Sequence, residues 1–338
     1  MAQINKPSDY FNTKLYTGNG STQSITGVGF QPDWTWIKNR SSSYSHCLYD
    51  VVRTATKRVK SNSTDAEDTD TGGLTSFDSN GFSVGSSASQ NASGENIVSW
   101  NWKAGNSAGS SNTDGSITST VSVNTTAGFS IVKWTGTGSA VTVGHGLGQK
   151  PDILFVKRYS GSSSWTVYTD VIDGSNDYLA LNASDAKGDS GNPVATNSVF
   201  QKSDTNGEEV IAYCFASKTG YSKIGSYVGN GQSGNSAPFI YTGFKPAFYI
   251  IKKTNDTASW ILKDNKRPGY NVNGTYLIPD DSSAEASGSG NVASDELSNG
   301  FKIRGTSSSL NTSGGTYVYM AFAESPFVTS TGIPTTAR

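Results

Sequence analysis

Three stretches of this sequence are variants of one another: GFQPDWTWIKNR beginning at Gly29, GQKPDILFVKR beginning at Gly148 and GFKPAFYIIKK beginning at Gly243. In each, a proline (Pro32, Pro151, Pro246) is followed six residues later by a lysine (Lys38, Lys157, Lys252), and thirteen residues later by a serine (Ser45, Ser164, Ser259). Upstream lies an aromatic-x-Gly-x-Gly element, from Tyr16 to Gly20, Trp134 to Gly138 and Tyr227 to Gly231. Downstream, each copy closes on a mixed aromatic segment, ENIVSWNWKA, EEVIAYCFAS or TYVYMAFAE. Landmarks in one order, three times, define a repeated unit. The prolines are 119 and 95 residues apart, too far for solenoid units of ~20–50 residues and suited to domains of about 100. A chain of 338 residues also exceeds the ~250–300 at which single cores stop growing. We expect three homologous domains, 1–105, 116–219 and 220–328, and a C-terminal tail, 329–338. Gly105 to Gly115 reads as a flexible linker; the junction near Lys218 to Tyr221 is short and packs the second and third domains closely.

Within a copy the apolar pattern has period two. Trp34, Trp36 and Lys38 share one face of a strand against Asp33, Thr35 and Ile37, and Ile153, Phe155 and Lys157 oppose Leu154 and Val156. Bulk on both faces predicts a strand covered on both sides, and proline at the strand's start costs no ladder hydrogen bond. Glycine reaches 38 residues while charged residues are only 16%; turn-forming composition without the high charge of a disordered chain favours short strands over helices. FDSNGFSVG and LSNGFKIRG read as strand entries after Asn-Gly turns. The expected fold is all-β: three tandem sandwiches of jelly-roll or concanavalin-like type, with roughly eight to ten strands each.

The combination KLYTGNGSTQSITGVGFQPDWTWIKNRSSSYSHCLYDVVR, with LTSFDSNGFSVGSS and NIVSWNWKAG, resembles a family of bacteriophage tail or virion structural proteins found in phages of marine bacteria and cyanobacteria. The resemblance is densest over the first 105 residues, the later copies matching as diverged versions. It implies a concanavalin-like sandwich and a place on the virion, and it brings no catalytic motif.

Nothing in the residues themselves argues for an enzyme. There are two histidines and two cysteines. His46 neighbours Cys47, but adjacent residues on a strand point to opposite faces, so a structural role is the better reading; His145 lies in a glycine-rich turn without a second ligand. Cys47 and Cys214 are too few for a disulfide framework. The acidic run TDAEDTDTGG offers Asp65, Glu67, Asp68 and Asp70 as candidate hard ligands for Ca²⁺. The later copies keep only Asp185 to Asp189 and Asp280-Asp281, and the spacing misses the EF-hand, so a solvated loop is the plainer reading and no cofactor is expected. Glu208-Glu209 and Asp295-Glu296 are adjacent in sequence and have no matching partners for the paired carboxylates of glycoside hydrolysis. The aromatic-x-Gly-x-Gly element lacks a following lysine-serine pair and reads as a turn, not a phosphate cradle.

Binding remains. Trp34, Trp165 and Trp260 sit in apolar strands and read as core; Tyr44, Tyr159 and Tyr270, in polar loop contexts, are the candidate ligand contacts. A formal net charge of −1 gives no field for nucleic acid, and no segment approaches the ~18 apolar residues of a membrane span or carries a signal-peptide core. The expectation is a non-enzymatic virion surface protein, made in a host cytoplasm, serving as head decoration or tail-associated component. It would dock on other virion proteins through related edges, with homo-oligomer formation open. A host-surface glycan-binding protein of the tail-fibre kind is the alternative. The Pro/Thr-rich tail reads either as an arm onto a neighbour or as loose chain.

Overall fold

The computed structural model describes residues 1–288 and 290–335. The first repeat contributes β1 (Phe11–Thr17), β2 (Gln23–Thr26), β3 (Trp34–Asn39), β4 (Cys47–Asp50), β5 (Lys57–Lys60), β6 (Asp68–Thr69), β7 (Leu74–Asp78), β8 (Gly81–Val84), the one-turn helix α1 (Ala88–Asn91) and β9 (Asn96–Trp102). The second adds β10 (Ser110–Asn112), β11 (Ser119–Asn124), β12 (Phe129–Thr135), β13 (Ala140–Gly144), β14 (Ile153–Arg158), β15 (Thr166–Thr169), β16 (Asp177–Ala180), β17 (Gly188–Asp189), β18 (Val199–Ser203) and β19 (Glu209–Phe215). The third adds β20 (Ser222–Val228), β21 (Phe239–Tyr241), β22 (Phe244–Lys253), β23 (Ile261–Asp264), β24 (Ser294–Leu297), β25 (Gly300–Ile303), α2 (Ser308–Asn311) and β26 (Thr316–Pro326).

Pairing repeats three times. The larger sheets run β1-β9-β3-β4-β5-β6, β10-β11-β12-β19-β14-β15-β16-β17 and β20-β26-β22-β23, and the smaller ones β2-β8-β7, β13-β18 and β21-β25-β24. Every ladder between these strands is antiparallel, and the all-β sandwich expected from the alternation is what the chain forms. The strand that the recurrent proline opens lies centrally in each large sheet and is apolar on both faces, because each face meets a different core. Ile37, Leu154 with Val156, and Tyr249 with Ile251 point into the sandwich interior of their own repeat. Trp34 with Trp36, Ile153 with Phe155, and Phe248 with Ile250 point the other way, into one cluster shared by all three repeats.

That shared cluster is the organising centre. Trp102, Phe215 and Phe322, at equivalent positions of the closing strands β9, β19 and β26, form a triangle with ring centroids 6.3, 5.6 and 5.6 Å apart. Trp34 stacks on Tyr213 at 4.4 Å, and Phe248 meets Trp102 edge-on at 5.5 Å, so aromatic contacts cross from repeat to repeat. Gly105 to Gly115, expected to be flexible, is instead built in. Asp33 Oδ2 accepts the amides of Ala104 at 2.6 Å and Asn106 at 2.9 Å, and β10 pairs with β11. Once the first repeat is pinned in the shared core, the chain leaving it runs along a sheet edge whose hydrogen bonds must be satisfied.

Two other sequence expectations change in detail. Asn80-Gly81 and Asn299-Gly300 do not form the turns together: Ser79-Asn80 and Ser298-Asn299 are the turn pairs, and each glycine opens the return strand. A Cβ on Gly81 would lie 1.9 Å from the Ile25 carbonyl oxygen, and one on Gly300 2.1 Å from that of Ile240, so close backbone approach is what requires glycine there. Pro246 lies inside β22, between two shifts of register, a bulge that spares it a ladder bond.

The lysines that recur after the prolines close the ring. Each is fully buried and donates to a carbonyl of the neighbouring repeat: Lys38 to Ser282 at 3.1 Å, Lys157 to Thr64 at 3.0 Å, Lys252 to Ser184 at 3.0 Å. Beside them, equivalent backbone bonds join Glu67 to Tyr159, Lys187 to Thr254 and Glu285 to Arg40. Burial, opposed by nearby carboxylates, lowers all three lysines from 10.5 to about 8. Between these values the unfolded chain holds protons that the folded chain has released, so stability rises with pH across that window. From about 9 the two buried thiols, raised by burial, oppose this rise without outweighing three lysines, and above about 10 the buried tyrosines, raised in the same way, reverse the slope. Urea unfolding should therefore show greater stability at pH 9.5 than at pH 7.5, and Lys→Met at positions 38, 157 and 252 together should flatten the rise. An unchanged slope in that variant would place its origin elsewhere.

Candidate functional site: a polar cleft beside Tyr270

Two of the three seams are closed by the same buried ion pair. Asp50, ending β4, accepts the amides of Val52 and Arg53 and, at 2.6 Å, Arg53 Nε; the Tyr213 hydroxyl of the next repeat donates to its Oδ2 at 2.7 Å. Asp264, ending β23, accepts the amides of Lys266 and Arg267, Arg267 Nε at 2.6 Å, and the Trp100 indole N–H at 3.1 Å. Arg53 and Arg267 are each also bonded to a glutamate, Glu67 and Glu285. At the third seam the corresponding positions are Thr169, Ile172 and Met320, which need no ionic partner. All these groups hold the ring together.

Most of the residues singled out in the sequence are likewise engaged. Asp65, Glu67, Asp68 and Asp70 face Lys60, Arg53, Lys57 and Arg58 across the β5–β6 hairpin, forming ion pairs rather than a convergent set, and no group of three or more metal-capable side chains occurs among the described residues. His46 is buried, takes the Trp36 indole proton on Nδ1 at 2.9 Å and is held well below its ordinary pKa, chiefly by burial. It stands where Trp165 and Trp260 stand in the other repeats; those donate at 2.8 Å to Lys60 and Ala180 of the neighbouring repeat. His145 has both nitrogens engaged, Nδ1 accepting the Leu147 amide of its own turn and Nε2 bonding the Thr196 carbonyl of the loop before β18. Both thiols are buried, and burial pushes Cys47 up to about 11 and raises Cys214 further. Asp295 pairs with Arg304, while Glu208 and Glu209 bond Ser160, Tyr159 and Thr135. Tyr44 is half-buried. Tyr159 is half-buried at the first seam, with its hydroxyl on Glu209 and Arg53 against its ring. The C-terminal segment folds back, Thr335 N reaching Phe327 O, and Ser330 N bonds Asn5. Residues 336–338 lie outside the described residues.

Tyr270 is different: it is 76% exposed. It sits on the loop that leaves β23, where Asp264 turns the chain outward by capping two amides. Beside it is a cleft of about 260 Å³ lined by Lys245, Asn265, Lys266, Asn271, Glu296 and Glu324 among others. Lys245 and Lys266 share one carboxylate, Glu324, at 2.7 and 3.5 Å. Burial alone would raise Glu324, but the two ammoniums hold it below its usual value. Asn265 Oδ1 is buried and accepts no hydrogen bond from the described residues. Beneath the cleft lies a polar cluster. The Tyr249 hydroxyl and Asn273 Nδ2 donate to Glu296 Oε1 at 2.7 and 3.0 Å, and Lys263 Nζ donates to the Asn273 carbonyl at 2.6 Å. Burial lowers Lys263 and raises Glu296, and Asn271 bonds both backbone groups of Glu296, so the loop carrying Tyr270 is locked to β24. Charged groups with opposed shifts beside a cleft are a recognised mark of a functional site. Lys263 itself is fully buried, which suits it to positioning the loop and not to reacting with a ligand.

Of the sequence candidates, Tyr270 alone lines this cleft. Lys245, Asn265, Lys266, Glu296 and Glu324 were not singled out for it, being scattered over four elements. One signal was available: Lys263 occupies the position held by Tyr49 and Tyr168 in the other repeats, so the third repeat departs from the pattern just where the cleft lies.

Among the described residues no helix is long and apolar enough to cross a membrane. No curated protein matches the chain, nor does any solved structure. Residues 6–326 match the family described as Domain of unknown function (DUF7483); that span takes in all three repeats with their seams, and the chain belongs to this family.

Proposed function

We propose that the protein is a non-enzymatic structural component of a bacteriophage particle surface, a head decoration or tail-associated protein that docks on other virion proteins through its three related edges. The observation carrying this reading is the closed ring. Three equivalent seams around the Trp102–Phe215–Phe322 triangle give one chain the approximate symmetry of a trimer. Such a body can present similar surfaces to several neighbours at once, and multivalent attachment gains strength from effective concentration without new chemistry. Cryo-microscopy of intact particles tests it. The expected result is density for a three-lobed ring seated against capsid or tail subunits, and particles that lack the chain altogether would reject the reading.

A second reading, binding of a host-surface glycan, is favoured by the cleft beside Tyr270, where an exposed ring, paired ammoniums and a buried acceptor without a partner converge.

A further inference from the structure

The cleft beside Tyr270 has four properties that together define a ligand. It is small: about 260 Å³ falls below the ~300–1,000 Å³ that enclose drug-sized molecules, so it takes a single small ring of a longer molecule. It has an aromatic face at its rim, with little of the Tyr270 ring covered, and such a face suits the apolar side of a saccharide ring. It has a buried acceptor without a donor among the described residues, Asn265 Oδ1, which a hydroxyl satisfies and which an ionised carboxylate, having no hydrogen to give, does not. It also has a surplus of positive charge at its mouth, because Lys245 and Lys266 share one carboxylate while the charge of Glu296 is matched from beneath by Lys263. Arg267, nearby, is consumed by Asp264 and Glu285.

A hydroxyl donor, a stackable ring and a negative charge in one small unit describe an acidic sugar. We propose that this cleft binds one carboxylate-bearing saccharide residue of a longer glycan. In that arrangement Tyr270 packs on the ring, Asn265 accepts from a ring hydroxyl, and Lys245 and Lys266 divide their charge between Glu324 and the uronate carboxylate. The buried Lys263–Glu296 cluster holds the loop in place and does not touch the sugar. This rests on the glycan-binding reading above and makes it specific in site and in charge.

The test uses the full-length protein and three probes: trigalacturonate, the same trimer with its carboxylates methyl-esterified, and a neutral galactose trimer, each titrated by calorimetry. Saturable binding of trigalacturonate is expected, weakened on the order of tenfold by esterification and by Tyr270→Ala, amounts that correspond to about 1.4 kcal/mol each. Lys266→Met should weaken the acid trimer and leave any binding of the ester unchanged. Because Tyr270 and Lys266 are solvent-facing, both variants should retain the parental thermal transition, which is checked first. Equal binding of acid and ester, or binding indifferent to Tyr270→Ala, overturns the acidic-sugar assignment while leaving glycan binding standing. No binding of any probe, followed by none on an array of neutral and acidic glycans, overturns both.

Discussion

Asp50→Thr is expected to destabilise the protein by about 3–5 kcal/mol, the cost of leaving one partner of a buried ion pair unmatched. In this variant Arg53, almost wholly buried, loses the carboxylate that fixes its guanidinium, and the Tyr213 hydroxyl loses its acceptor. The third seam shows how the loss can be recovered. There, Thr169, Ile172 and Met320 stand where Asp50, Arg53 and Tyr213 stand at the first seam, and the ring closes without an ion pair. Transplanting that solution, as Asp50→Thr with Arg53→Ile and Tyr213→Met, removes the three most deeply buried partners together and leaves Glu67, which is partly exposed and keeps Lys57 at 3.9 Å; replacing both members of a buried pair by apolar groups is often neutral. The triple variant should thus lie within about 2 kcal/mol of the parent, less destabilised than the single one. Chemical denaturation of the five proteins, the parent, Asp50→Thr, Arg53→Ile, Tyr213→Met and the triple, reads this directly. A triple variant as unstable as the sum of its parts would mean that the seam depends on the ionic network itself and not on satisfying its members.

The second expectation concerns independence. Residues 1–105 expressed alone should not fold cooperatively, although they contain two complete sheets. Phe11, Trp34, Trp36, Trp100 and Trp102 are almost completely buried in the intact chain, and all five point into the cluster built by the three repeats. Exposing them forfeits on the order of 1.5–3 kcal/mol for each large side chain, which a domain of ~100 residues, with a net stability of about 5–15 kcal/mol, does not survive. The fragment should show a collapsed near-ultraviolet dichroism signal and poorly dispersed amide resonances. A sharp thermal transition in the isolated fragment would show that each sandwich interior suffices, and that the seams only dock finished domains.

The candidate site was legible in part. Tyr270 stood out because it lies among Gly, Pro and Asn, where its own segment offers nothing to cover it, and it is exposed in the fold as well. Tyr159 lies in an equally polar stretch, GSSS, yet is half-buried, because the neighbouring repeat brings Arg53 over its ring. Local composition says whether a residue can be covered by its own segment; it carries no information about a surface arriving from elsewhere in the chain. The acidic run, whose plainer reading is a solvated loop and not a Ca²⁺ site, follows closely on the basic run Arg53 to Lys60; the β5–β6 pairing sets Arg58 opposite Asp68, and the two runs neutralise each other.

What the sequence by itself determined is the repeated unit: its register, its all-β character, the strand that is apolar on both faces, and the recurrence of proline and lysine at fixed spacing. These are set by contacts within about 100 residues of chain, where alternation and turn chemistry act directly on neighbouring strands. Only the tertiary structure decided why that strand needs two apolar faces and why the lysine recurs. Both answers lie across a seam. Lys157 reaches a carbonyl 93 residues away and Lys38 one 244 residues away, and a backbone carbonyl has no sequence signature, since every residue carries one. Ring closure determines which carbonyl is presented, and ring closure depends on three copies packing their aromatic faces at once.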